Sequence, residues 1–303
     1  MIFNLEPSLN QPIKFDNEYG IELSIKREDE IHPVISGNKY RKLNYNLKEA
    51  REKGFRTLLT FGGAYSNHIS AVAFAGKEFG FKTIGVIRGE ELDSKINMNP
   101  TLKFAKNCGM LFKFVSRESY GQKKSDDFLR ILKNEFDRFY LIPEGGTNML
   151  AVKGCEEILT EADNDFDYIC CSVGTGGTIS GLINCSKPGQ QILGFPALKG
   201  DFLKEDIGNF VHKTNWKLVT DYRFGGYAKI NLGLISFINE FKRSHNIPLD
   251  PVYTGKMMFG ILDLIQKGYF HKGSKILAIH TGGLQGIEGM NMKLLKKGMP
   301  LIT

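Results

Sequence analysis

The chain of 303 residues predicts an α/β protein in which parallel sheets are covered by helices on both faces. Its dominant rhythm is a short apolar run, a glycine-rich turn and then an amphipathic segment, repeated along most of the chain. The apolar runs are about six residues long, the length of a strand buried on both sides rather than of a helix. Hydrophobic residues make up 42% and charged residues 24%, ordinary values for a chain that buries a real core. The length suggests about two domains, although no linker, internal repeat or low-complexity tract marks a boundary.

In chain order, "RTLLTF" (56–61) leads through "GGAYSNH" into the helical "ISAVAFAGKEFG" (69–80). "KTIGVI" (82–87) is followed by a polar turn and "NPTLKFAKNCG" (99–109), and "FDRFYLIP" (136–143) by "EGGTNMLAVKGCEEIL" (144–159). "FDYICCSV" (166–173) runs into "GTGGTISGLINC" (174–185), and "QILGFPAL" and "SKILAIHTGG" follow the same plan. In such sheets ligands collect at the carboxyl ends of the strands, which is where these glycine turns fall.

Composition narrows the function classes. The net charge of +7 comes from 40 basic residues interleaved with 33 acidic ones, and no aromatic-basic alternation suggests nucleic-acid binding. A modest positive field suits small anionic ligands. The five cysteines, Cys108, Cys155, Cys170, Cys171 and Cys185, include no C-x-x-C pair and are expected as reduced thiols of a cytoplasmic protein. No apolar run approaches the ~18 residues of a membrane span, and residues 1–15 lack the order of a signal peptide.

Three stretches carry candidate chemistry. In "SGNKYRKLNYNLKEAREKG" (36–54), Tyr40, Leu43, Leu47 and Ala50 form a buried helical stripe, Gly54 is a stop, and Ser36 or Asn38 is a cap. Lys42, Asn46 and Glu49 then form a row facing water. Lys39 lies in the first turn, on the flank of the stripe, where the helix dipole and partial burial both favour a neutral amine able to attack a carbonyl. The alternative for Lys39 is a snorkelling surface lysine. In "FGGAYSNHIS" (61–70), Ser66 and Asn67 open a helix and either bind an anion or simply cap it, and His68 is structural. In "SVGTGGT", Gly174, Thr175, Gly176, Gly177 and Thr178 form a phosphate cup or a bare strand-to-helix turn. The run matches neither a Walker A loop nor G-x-G-x-x-G, which argues against a nucleotide-dependent oxidoreductase. Tyr253 and Thr254 in "DPVYTGK", Thr281 in "IHTGG" and Tyr227 in "FGGYAKIN" are weaker single candidates, and no metal-ligand spacing is present.

Taken in order, "KRED", "SGNKYRKL", "FGGAYSNH", "EGGTN", "SVGTGGT", "DPVYTGK" and "IHTGG", from residue 26 to 283, resemble the fold-type II pyridoxal-phosphate enzymes. The match is to the branch containing 1-aminocyclopropane-1-carboxylate (ACC) deaminase and D-cysteine desulfhydrase. The resemblance implies a tryptophan-synthase-β-like fold of two open, twisted, mainly parallel sheets flanked by helices. It implies a large domain of 1–45 and 150–303, a small domain of 46–149, and a cytoplasmic homodimer acting on a small amino acid. It implies that Lys39 holds pyridoxal 5'-phosphate covalently and moves the α-proton. Asn67 would bond the ring hydroxyl, Ser66 would face substrate, Gly174 to Thr178 would hold the phosphate, and Tyr253 and Tyr227 would stand near substrate. Thr254 matches the position where true deaminases pair the ring nitrogen with a glutamate, and Thr281 offers a second hydroxyl. A hydroxyl there favours α,β-elimination from D-cysteine or a related β-substituted D-amino acid over opening of a cyclopropane. ACC deamination, and a catalytically silent cofactor-binding protein, are the alternatives.

Overall fold

A computed structural model describes residues 8–200 and 202–303, so the first seven residues of the opening stretch that was read for a signal peptide lie outside it. Among the described residues ten strands make two sheets: β1 (Asn10–Ile13), β2 (Glu22–Lys26), β3 (Thr57–Gly62), β4 (Lys82–Arg88), β5 (Leu111–Val115), β6 (Tyr140–Ile142), β7 (Tyr168–Val173), β8 (Gln191–Pro196), β9 (Trp216–Leu218) and β10 (Lys275–Ile279). The larger sheet has the order β1-β2-β10-β7-β8-β9 and the smaller the order β5-β4-β3-β6. Every pairing is parallel except β1 with β2. β10 sits between β2 and β7, with Ile279 opposite Lys26 on one side and Cys171 on the other.

The strands are apolar without alternation because both faces are covered. On β10, Ile276 and Ala278 join one core while Leu277 and Ile279 join the core on the opposite face. β3 divides in the same way, Leu58 to one side and Leu59 and Phe61 to the other. Cys170 and Cys171 are buried neighbours on β7, and burial raises both thiols above their usual range.

The helices are α1 (Asn38–Glu52), α2 (Asn67–Phe79), α3 (Pro100–Asn107), α4 (Arg117–Gly121), α5 (Asp126–Phe136), α6 (Met149–Glu156), α7 (Gly177–Cys185), α8 (Phe202–Gly208), α9 (Leu232–His245), α10 (Thr254–Gln266) and α11 (Gly286–Leu295). None is long and apolar enough to cross a membrane among the described residues.

Helix α1 corrects two expectations. Its N-cap is Gly37, with no side-chain cap from Ser36 or Asn38. Gly37 has φ 64°, and a Cβ there would lie 2.1 Å from the Thr281 carbonyl oxygen, so the chain enters α1 pressed against the turn after β10. The row read as facing water is largely buried: Lys42 is 2% and Asn46 0% exposed. The cause is packing on two sides, against α6 as well as α2. Asn46 is accordingly bonded to the Lys42 carbonyl at 2.8 Å and to the Asn148 amide.

Candidate active site

The carboxyl ends of β3, β7 and β10 carry glycine turns, and close contacts tie the starts of α1, α2, α7 and α10 to these turns. Ser66 caps α2, its hydroxyl accepting from the Ile69 N–H at 3.3 Å, a contact worth about 1 kcal/mol. That role leaves the Ser66 hydroxyl proton available. Asn67 is the first residue of α2, and its amide nitrogen would be 2.7 Å from a Cβ on Gly283, so β3 and β10 deliver their turns to one place.

Lys39 is half-buried, and its ammonium lies 3.4 Å from the Asn38 amide oxygen. Burial lowers its pKa to about 7, and repulsion from Lys42 adds to the effect. The lowered pKa agrees with the dipole-and-burial argument, but the second cause is a lysine that the helical pattern had assigned to solvent. Asn38 turns its amide the other way and donates to the Thr178 hydroxyl at 2.8 Å, tying the start of α1 to the glycine run after β7.

That run is a cradle. Gly176, with φ 84°, precedes α7, and a Cβ on Gly177 would sit 2.9 Å from the Thr147 hydroxyl and 3.1 Å from the Lys42 ammonium nitrogen. A Cβ on Gly174 would sit 3.4 Å from the Tyr253 hydroxyl. Lys42 donates to the Gly145 carbonyl at 3.2 Å and to the Thr147 hydroxyl at 3.1 Å, and Thr147 bonds Thr175 at 2.6 Å. It forms no ion pair among the described residues. Burial lowers the Lys42 pKa, its partners are neutral oxygens, and the N-terminus of α7 lies beside it, so an anion bound here would offset the cost of the buried charge. Sequence reasoning missed Lys42 here, and "EGGTN" carried no assigned role; the latter now emerges as the loop that holds Lys42 and Thr175.

His68 stands between the two lysines at 2% exposure. Thr60 donates its only hydroxyl proton to the Ile142 carbonyl at 2.8 Å, so it accepts from His68 Nε2, also at 2.8 Å. Burial, then Lys39 and Lys42, push this imidazole well below its usual pKa, against a smaller opposing effect of the Pro143 carbonyl, and its Nδ1 has no hydrogen-bond partner within normal geometry among the described residues. The residue is therefore a neutral acceptor at the back of the site.

On the opposite wall, Tyr253 and Tyr227 meet edge to face with centroids 6.2 Å apart. Tyr253 is half-buried and Tyr227 is 44% exposed as a residue, but desolvation around the hydroxyl raises each phenol, so both keep their protons. Thr254 is fully buried; its hydroxyl donates to Asp250 Oδ1 at 3.0 Å and accepts from the Asp250 N–H at 2.9 Å. The Asp250 carboxylate also takes the N–H groups of Val252, Tyr253 and Thr254. Thr281 pairs with Ser172 at 3.0 Å. Contacts link several of the sequence-predicted residues: Asn38 beside Lys39 reaches Thr178, Asn67 lies against Gly283, Tyr253 against Gly174 and Tyr227 against Tyr253, whereas Thr254 and Thr281 are buried in hydrogen bonds of their own. No group of three metal-binding side chains occurs among the described residues.

The donor set fits pyridoxal phosphate: an amine of low pKa, an anion cradle with its own cation, an amide and hydroxyls for the ring, and protonated phenols. Comparison with known proteins agrees. The model of the pyridoxal-phosphate dependent enzymes matches residues 8–282. A putative ACC deaminase of Pyrococcus horikoshii is 33% identical over 302 residues, 92% of this chain and 89% of its own. A bifunctional D-cysteine desulfhydrase/ACC deaminase of Arabidopsis thaliana is 30% identical, over 88% of this chain and 74% of its own. A solved ACC deaminase homologue superposes with a TM-score of 0.82 at 30% identity, covering 96% of this chain and 94% of that one. The chain therefore belongs to the pyridoxal-phosphate dependent enzymes, in the family of ACC deaminase and D-cysteine desulfhydrase.

Proposed function

We propose that the chain catalyses α,β-elimination from a small β-substituted D-amino acid, D-cysteine first among them, giving pyruvate, ammonia and sulfide. The observation that carries this reading is the state of Thr254 and Asp250. Where true deaminases would carry a glutamate stands Thr254, whose hydroxyl is engaged with Asp250, and the Asp250 carboxylate is itself spent on the N–H groups at the start of α10. Such an arrangement supports less negative charge in the ring than a free carboxylate would. A substrate whose β-substituent leaves as the α-proton is taken makes the smaller demand.

When bound, pyridoxal phosphate supplies an electron sink for breaking a bond to the α-carbon of an amino acid. Lys42, the N–H groups at the head of α7 and the Thr175 and Thr178 hydroxyls would hold the phosphate, and Asn67 the ring hydroxyl. The Ser66 hydroxyl and the first N–H groups of α2 suit the substrate carboxylate. Lys39 Nζ, neutral above a pH of about 7, accepts the α-proton. The C–S bond breaks with its electron pair on sulfur, and the Tyr253 phenol would return a proton to it. The released 2-aminoacrylate adds water and divides into pyruvate and ammonia.

ACC deamination is the second reading, favoured by the names of relatives such as the putative ACC deaminase of Thermotoga maritima, 31% identical over 96% of this chain. A single assay separates the two. Purified enzyme should release pyruvate and sulfide in equal amounts from D-cysteine and form little 2-oxobutanoate from ACC. Turnover of ACC with none of D-cysteine would overturn the elimination reading.

A further inference from the structure

Tyr227 reaches the site from the segment between β9 and α9, where it belongs to neither a strand nor a helix. The backbone around it is strained. Phe224 and Ala228 adopt φ of 50° and 52°, in the left-handed region that side chains with a Cβ avoid, and Gly225 and Gly226 lie at 88° and 117°. Backbone of this kind persists only when its surroundings hold it in place. Two apolar or polar contacts dock the segment on α10: Phe224 packs edge-on against Phe259 at 5.1 Å, and the Tyr222 hydroxyl donates to Asp263 at 2.6 Å.

The central attachment is Lys256. It lies on α10 two residues beyond Thr254, is 3% exposed, and forms no ion pair among the described residues. Its ammonium donates to the Arg223 carbonyl at 2.9 Å and to the Gly226 carbonyl at 2.8 Å, one on each side of the strained pair Phe224–Gly225. A buried charge is therefore spent on two backbone oxygens of one loop, directly before Tyr227. We propose that Lys256 is a positioning residue: it latches the 223–228 loop to α10 and so sets the Tyr227 phenol against Tyr253. The same helix carries Tyr253 at its cap and Lys256 in its first turn, so both tyrosines are registered to one rigid element. This rests on the reading that the two phenols face substrate; the latch itself is open to measurement without that reading.

The test combines Lys256→Met, which keeps length and apolar bulk, with Gly226→Ala, which disturbs the same contact from the loop side without touching the core. Three quantities are followed in the holoenzyme: the absorbance of the bound cofactor, the rate of trypsin cleavage after Arg223, and kcat and KM for D-cysteine. Both variants should keep the cofactor absorbance, and cleavage after Arg223 should quicken by about tenfold or more as the loop opens. kcat should fall about tenfold, as it should in Tyr227→Phe, and adding Tyr227→Phe to Lys256→Met should cost little more. Unchanged cleavage after Arg223 in both variants would overturn the latch. So would a double variant whose kcat loss is the product of the two single losses. If D-cysteine is not a substrate, the cleavage rates still decide the latch, and the failure falls on the elimination reading alone.

Discussion

Lys39 and Lys42 sit three residues apart on one helix; burial lowers the pKa of both, and their hydrogen-bond partners differ. Lys39 has a weak contact to an amide and a pKa lowered to about 7, whereas Lys42 is bonded to Gly145 and Thr147 and faces the glycine cradle. One is suited to give up its proton and the other to keep an anion company. A stability consequence follows for the cofactor-free protein. Between pH 7 and the ordinary lysine value of 10.5, the unfolded chain holds a proton on Lys39 that the folded chain has lost, so wild-type stability rises with pH across that window. Lys39→Met removes the cost of burying the charge. It should melt above wild type at pH 6, with the difference shrinking toward pH 10; calorimetry at the two pH values checks this, and a constant difference would contradict the lowered pKa. Lys39 was legible in the sequence because its place on the flank of the apolar stripe is a local property. Lys42 was not, because a helical pattern reports one buried face and cannot show that a second helix covers the other.

At the scale of elements, the segment from the end of β2 to the start of α1 sets where Lys39 stands. The four charged residues of "KRED" are all buried and each is paired. Lys26 bonds Asp163 at 2.8 Å, Arg27 grips Asp29 through two bonds, and Glu28 receives Arg41 Nε and Nη2 at 2.9 and 2.8 Å. The Glu28 carbonyl also accepts the Gly37 N–H at 2.8 Å, so one residue holds both the entry to α1 and its first turn. Removing one partner of a buried pair strands the other charge, which costs about 3–5 kcal/mol. Glu28→Gln should lose about that much in urea unfolding and should bind cofactor more weakly; a loss under about 1 kcal/mol would show that the pair does not fix the helix. Charge alone did not reveal this, since the partners Asp163 and Arg41 are distant in sequence. The strand-turn-helix units of β3, β4, β6, β7 and β8 were clear from apolar runs and glycines, whereas β1, β5 and β9, short or partly exposed, gave no such signal.

Over the whole molecule, the site exists because strands distant in sequence end side by side. β2, β10 and β7 are neighbours although they span residues 22 to 279, and all four strands of the smaller sheet lie between residues 57 and 142. Apolar runs announce parallel strands but carry no record of their order, so the fold class was legible and the convergence of the turns was known only through resemblance. The central claim is that this convergence places one particular amine, Lys39, where the cofactor aldehyde is bound. Reduction of the holoenzyme with borohydride, followed by digestion and mass mapping, tests it most directly. The account predicts a pyridoxyl group on Lys39 and on no other lysine; the label on Lys42, or on none, would contradict it.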